Sequence, residues 1–343
     1  MTISKHLSVR HHRAGRFFIV ALLLVACSCQ RTGKPIQLYG EAQGTYYSVQ
    51  YYDAQQRDLR PQIDSLLHAF DLSASLWVDS SLLRQLNANA TDSLDAVLDS
   101  MLRYSLYIYE YSGGAFDVRV GRIVQAWGFS FKQRQEPDNE AMAALMTAAH
   151  SSINIVDGRL AKENPDTELD FNAIAQGYAV DLIAAMLDSL GIESYLIDLG
   201  GEVIGRGAKP DGSPWRVGIE RPSADSASVP EVQTAIALRD ASVVTSGSYR
   251  KYYERDGVRY SHTIDPATGR PVEHTLLSAS VVEGSAWLAD AMATAYMVMG
   301  LEKAKEFIAA HPEGPGTDAV MFIYDDNGTL KTYTTPAFEK LIQ

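Results

Sequence analysis

The sequence predicts an α+β fold of mostly antiparallel sheets with packed helices, and three observations carry that reading. Helical periods and β-prone runs are partly segregated along the chain instead of alternating one for one. Beyond Gly191 the texture becomes a succession of short strands separated by Gly, Pro and Asp, the punctuation of antiparallel neighbours. The 343 residues are 46% hydrophobic and 21% charged, which supplies a full core and argues against disorder.

A leader precedes the folded body. Lys5, Arg10, Arg13 and Arg16 come before an apolar run at 17–26, so residues 1–26 read as a signal peptide. The run is shorter than the roughly 20 residues that span a bilayer. It ends Leu24-Val25-Ala26-Cys27, which resembles a bacterial lipoprotein box and predicts lipidation at Cys27; an ordinary secretory signal is the alternative. Residues 27–37 are then a lipidated, polar tether, and 38–343 a single domain, with two lobes as the other division. Both cysteines lie at the leader boundary, so the body offers no disulfide, zinc-thiolate or cysteine nucleophile. Cleavage removes four positive charges and no negative ones, taking the formal charge from −12 to −16. So acidic a body argues against nucleic-acid binding.

Within the body, 38–52 alternates with many aromatics and predicts a strand or hairpin broken at Gly44. Apolar residues at 59, 63, 66, 67 and 70 predict one amphipathic helix, and 94–111 repeats the pattern. A third helix is expected over 173–190, stopped by Gly191. The runs YLIDLGGEVIGRG, WRVGIERP, VQTAIALRD, ASVVTSGSY, RYSHTID and LLSASVVEG predict consecutive strands. Helical periodicity returns over 285–299 and 302–310, and Asn327-Gly328 centres a closing hairpin. There is no fixed repeat, Walker sequence or dinucleotide glycine fingerprint.

Several segments carry chemistry. Gly44 permits close backbone approach to a ligand, or simply bends a strand. Trp77 could stack on a planar ring, although burial in the core is the commoner use of such a residue, and Ser80 or Ser81 could cap the turn at 82–86. The pair Gly113-Gly114 after a long helix predicts a tight turn presenting backbone amides and Phe116, or a helix cap leading into a strand. Asp170 and Asn172 sit where the chain enters a helix at Ala173, and either could be its N-cap. Asp290 and Thr294 stand at i and i+4, on one helix face, in a segment otherwise apolar. A carboxylate so placed needs a partner, and a hard cation such as Mg²⁺ would serve. Thr245-Ser246-Gly247-Ser248 suits phosphate or a bare turn. His262 is expected in a strand just before a sharp turn, where an imidazole can take a proton near neutral pH.

In this order, GTYYSV, SLWVDSSLLRQLN, GGAFDV with WGF, DFNAIAQGYAVD, LGGEVIGRG with PWRVGIERP, TSGSYRKYY, HTIDPATGRPV and ADAMATAYMVMG closely resemble the ApbE family of flavin transferases. The resemblance covers about residues 40 to 335. It implies an ApbE-like, T-fold-related architecture and Mg²⁺-dependent transfer of the FMN half of FAD to a threonine, or sometimes serine, hydroxyl of an extracytoplasmic flavoprotein, with AMP released. By the same resemblance the metal ligands are Asp290, Thr294 and the Ala173 carbonyl. FAD contacts fall on Gln43, Trp77, Ala115, Phe116, Asp117, Asp170 and Gln176, with Thr245 and Ser246 at the phosphates, and His262 is catalytic. Three positions depart from the family pattern: Gln43 where methionine is common, Trp77 where tyrosine is, and Gln176 where lysine is. The expected location is the bacterial cell envelope, anchored by lipid outside the cytoplasm. Hydrolysis of FAD to FMN and AMP, or flavin binding without catalysis, are the rival readings.

Overall fold

The computed structural model describes residues 34–129, 137–223, 231–248, 252–255 and 258–343. The leader, Cys27 and the first part of the tether lie outside the described residues. Among those described, no helix is long and apolar enough to cross a membrane.

The chain opens with β1 (Ile36–Ala42) and β2 (Thr45–Tyr51), an antiparallel hairpin with Ala42 opposite Thr45. Its turn is Gln43-Gly44, both with positive φ (52° and 73°), the two-residue geometry that matches strand twist. Four helices follow: α1 (Arg60–Ala74), α2 (Leu82–Asn87), α3 (Ala96–Tyr111) and α4 (Gly121–Ala126). Ser81 caps α2, its hydroxyl accepting from the Arg84 amide, and Asp95 caps α3 in the same way through Leu98. Next come α5 (Asn139–Ala149), the hairpin β3 (Ile153–Val156) and β4 (Arg159–Lys162), and α6 (Ala175–Ser189). Strands β5 (Tyr195–Leu199), β6 (Glu202–Arg206), β7 (Trp215–Glu220), β8 (Val232–Leu238) and β9 (Ala241–Gly247) form the predicted succession. It continues through β10 (Tyr252–Arg255), β11 (Val258–Ser261), β12 (Ile264–Asp265), β13 (Arg270–Pro271) and β14 (Leu276–Glu283). Helices α7 (Ala286–Met299) and α8 (Leu301–Ala310), the hairpin β15 (Ala319–Asp326) and β16 (Thr329–Thr334), and α9 (Pro336–Glu339) complete the chain.

Eight strands make one sheet in the order β1-β2-β5-β6-β9-β14-β15-β16, every neighbouring pair antiparallel. The α+β expectation holds. Because strand side chains alternate, the central strands feed two cores. Val244, Val281 and Phe322 join the core shared with Ile63, Leu102, Ile183 and Met292 of α1, α3, α6 and α7. Their neighbours Val243, Val282 and Met321 join Trp215, Ile236 and Phe338 on the other side, beneath β7, β8 and α9. That double burial explains why β14 and β15 carry consecutive buried residues, with apolar or small side chains at both faces. A third, smaller cluster ties Ile123 and Trp127 beside α4 to Met142, Ala149 and Ile264, and the Trp127 indole donates to the Gly269 carbonyl at 2.7 Å.

Candidate active site

A cavity of about 1160 Å³ takes in the β1–β2 turn, the C-terminal end of α1, the loop at 115–117, the entry to α6, and parts of β7, β9 and α7. Its size exceeds the several hundred Å³ typical of small-ligand sites, so it suits a large ligand. The structure brings all thirteen site residues expected within the body to its lining. Gln43 reaches it from the hairpin turn, and both amide atoms of its side chain are buried there without a hydrogen-bond partner. Trp77 is 59% exposed at the lining, so its ring is open to stacking and is not part of the core. Ser112 ends α3, Gly113 and Gly114 turn the chain at φ 64° and 84°, and the Ser112 hydroxyl accepts from the Phe116 amide at 3.1 Å. No strand follows this turn; the chain goes on into α4. Ala115, Phe116 and Asp117 line the cavity beyond it.

Asp117 lies under Arg119, which donates from Nη2 to Oδ2 at 2.8 Å and from Nε to Oδ1 at 2.9 Å. The guanidinium also sits 4.3 Å over the Tyr109 ring and donates to the Ser151 carbonyl. Asp117 thus lines the cavity with its charge already matched. Asp170 is buried, and burial pushes its carboxyl up to about 6, against the pull of the Asn172 amide that donates to it. Its segment is held by Asn87, whose side-chain amide exchanges two 2.8 Å hydrogen bonds with the backbone of Leu169.

Neither Asp170 nor Asn172 caps α6. The helix starts at Ala175 with Ile174 at its N-cap position and no side-chain cap of its own. The cap comes from α7: the Gly177 amide donates to Asp290 Oδ2 at 3.1 Å. Gly177 is the third residue of α6, so its amide is one of those that every helix start leaves without an intrahelical acceptor, and Asp290 supplies one from outside. Ala173 precedes the N-cap and lines the cavity ahead of the helix. Gln176, one turn from Ala173, packs against Gly200, where a Cβ would come within 2.9 Å of its amide nitrogen.

Thr245 and Ser246 belong to β9 itself and not to a turn. Thr245 shares a 2.7 Å hydrogen bond with Ser280, and the Ser246 and Thr294 hydroxyls are 3.3 Å apart. His262 is half-buried at the lining in a bend between β11 and β12, not in a strand. The reason is that β11 pairs with β10 while β12 pairs with β13, so the chain must change direction between them. Tyr249 and Arg250 of the TSGSYR segment lie outside the described residues.

Among the described residues the lining holds seven carboxylates, Asp71, Asp117, Asp170, Asp198, Glu202, Glu220 and Asp290, against one arginine, Arg216, and no lysine. Asp290 is 5% exposed, and burial pushes its carboxyl up to about 7, helped by the nearby charge of Asp181 and opposed by the Gly177 amide. No Lys or Arg among the described residues pairs with it. A buried carboxylate, a hydroxyl and a backbone carbonyl just ahead of α6 make a set of oxygen donors suited to a hard cation that keeps some of its water.

A sequence model described as the ApbE family matches residues 43–320. The chain belongs to the ApbE family. It is 34% identical to a Vibrio cholerae protein described as FAD:protein FMN transferase, over 95% of this chain and 99% of that one. An Escherichia coli protein of the same description is also 34% identical, over 95% and 97% of the two chains. The solved structure of the flavin transferase ApbE from Vibrio cholerae superposes with a TM-score of 0.77 at 32% identity, covering 90% of this chain and 99% of that one.

Three residues that shape the site in this ApbE-family chain escaped sequence reasoning. Arg119 stands two residues from Asp117 and was legible only as a charge. Asn87 meets a backbone segment 82 residues away. Asp181 closes the segment DFNAIAQGYAVD, yet the amides it accepts from belong to Ala286 and Trp287. Local pattern holds no signal for contacts of that range.

Proposed function

We propose that this chain transfers the FMN half of FAD to a threonine or serine hydroxyl of a target flavoprotein and releases AMP, with Mg²⁺ as its cofactor. The observation that carries the reading is the meeting of α6 and α7. Their crossing brings Asp290, Thr294 and Ala173 to one cavity, too acidic to receive a pyrophosphate without a cation. Those three groups would hold Mg²⁺, which supplies positive charge beside the pyrophosphate oxygens.

The chain's own residues do the rest. Trp77 offers an open ring face for a planar heterocycle, and the unpartnered Gln43 amide offers a buried donor and acceptor. Hydroxyls of Thr245 and Ser246 and the turn after Gly114 position the phosphates. His262 accepts the proton from the acceptor hydroxyl. That oxygen forms its bond to the FMN-side phosphorus as the bond to the AMP oxygen breaks, and AMP leaves with the electron pair. Location in the cell envelope, on a lipid carried by Cys27, would place the enzyme beside extracytoplasmic flavoproteins.

Incubation of the protein with FAD, Mg²⁺ and a candidate acceptor tests the reading by mass spectrometry. An FMN mass on an acceptor threonine or serine, lost in Asp290→Ala and in His262→Ala, is the expected result. Free FMN with unmodified acceptor would replace the transferase by a hydrolase. FAD bound and unchanged would leave a flavin-binding protein.

A further inference from the structure

Helices α6 and α7 each lack a side-chain cap from their own N-cap residue, Ile174 and Ser285. Each takes its cap from inside the other. Asp181, in the second turn of α6, accepts from the Ala286 amide at Oδ1 (2.9 Å) and from the Trp287 amide at Oδ2 (2.8 Å), the first two amides of α7. Asp290, in the second turn of α7, accepts from the Gly177 amide near the start of α6. Gly177 permits the approach, because a Cβ there would lie 2.5 Å from the Ala286 carbonyl oxygen. Asp181 itself does not line the cavity. Burial holds its carboxyl above the usual range, while the two α7 amides pull it back.

We propose that Asp181 is a positioning residue for the metal site: its two hydrogen bonds fix the first turn of α7 on α6 and so set the spacing between the Ala173 carbonyl and Asp290 with Thr294. The inference rests on the metal-dependent reading above. Asp290 follows Ala286 by one helical turn, so a loosened first turn of α7 is passed to Asp290 nearly undiminished. Cation sites of this kind tolerate only a few tenths of an ångström in ligand distance. An isosteric Asn at 181 would keep one acceptor oxygen and turn an NH₂ group toward the second amide.

The test measures Mg²⁺ half-saturation without turnover, through the Mg²⁺-dependent rise in melting temperature and the Mg²⁺ dependence of FAD fluorescence quenching. Wild type, Asp181→Asn, Asp181→Ser, Asp290→Ala and Asp53→Asn are compared. Asp53 pairs with Arg57 at 2.7 Å outside the cavity, so its variant reports lost stability alone. The expected result is that Asp181→Asn, or Asp181→Ser if the first does not fold, raises Mg²⁺ half-saturation at least tenfold. Asp53→Asn lowers the melting temperature but stays within twofold of wild type in Mg²⁺ half-saturation. A wild-type Mg²⁺ half-saturation in the Asp181 variants, whatever their melting temperature, overturns the role of Asp181. If Asp290→Ala also keeps it, the metal assignment fails first, and the two failures are told apart.

Discussion

Replacing Gly177 by Ala gives a test in which the sign of the stability change decides the reasoning. In an ordinary helix interior the substitution stabilises by about 1 kcal/mol, because alanine loses less backbone freedom. Here the added Cβ would stand 2.5 Å from the Ala286 carbonyl oxygen, 2.8 Å from its carbon and 2.8 Å from Asp290 Cβ. Two of those atoms are backbone, so no side chain can swing aside and α7 must retreat by roughly 1 Å to restore normal contact. Such overpacking costs about 1–3 kcal/mol. The retreat also stretches the bond from the Gly177 amide to the Asp290 carboxylate, and hydrogen bonds to charged groups contribute about 1.5–3 kcal/mol. Propensity offsets only part of this, leaving a net destabilisation on the order of 2–4 kcal/mol, or about 5–10 °C in melting temperature. Thermal and urea unfolding of the metal-free protein measures the stability, and FAD quenching with Mg²⁺ reads the site. A melting temperature equal to or above wild type would show that the two helices have room to spare, and the argument for a tightly set donor spacing would fall with it.

Three other outcomes are expected. Asp170 titrates near 6 in the folded chain instead of 3.8 because it is buried, so the folded state keeps a proton that the unfolded chain has lost between those values. The Asp170 contribution to stability therefore falls as pH rises from about 4 to 6, by about 3 kcal/mol in all, and is constant above that; the difference between the wild-type and Asp170→Asn curves should change over this stretch, and parallel curves would refute the assignment. Arg119→Met should destabilise by about 3–5 kcal/mol, since it leaves Asp117 charged and 3% exposed without its partner. Adding Asp117→Asn to that variant should recover much of the loss in denaturant titrations. Trp77→Ala should change stability by less than about 0.5 kcal/mol yet weaken FAD binding roughly two- to tenfold, and unchanged affinity would remove the stacking role.

Periodicity made the scaffold legible: the amphipathic helices at 59–70 and 94–111, the hairpins and the strand succession all stand near their expected places. Other elements were passed over although their signals were local. Asp157-Gly158, both with positive φ, turns the β3–β4 hairpin, and Asp138 caps α5 through the Ala141 amide. Trp77 went the other way, because composition assigns a tryptophan to the core and says nothing of a cavity that leaves one face open. His262 was misplaced by a β-prone run that spans two strands with different partners. The entry to α6 was misread for a deeper reason. Asp170 and Asn172 are chemically able to cap it, but the acceptor the helix uses arrives 113 residues later in the chain.

The acidity of the cavity, which looked like an obstacle to binding an anionic dinucleotide, becomes intelligible once four of its carboxylates are traced to what faces them. Asp117 is matched by Arg119. Asp198 accepts from the Gly201 amide and the Tyr46 hydroxyl, though burial still holds it above the usual range. Asp170 is held toward its neutral form and draws one backbone amide. Asp290 differs from these, since its capping bond to the Gly177 amide engages Oδ2, in a cavity that Thr294 and Ala173 also line. Burial disfavours its charge, and a cation there would reverse that preference while giving a pyrophosphate something to meet. The bond that caps α6 thus holds Asp290 where a cation would meet it, so helix capping and the placement of the proposed metal ligand are one interaction.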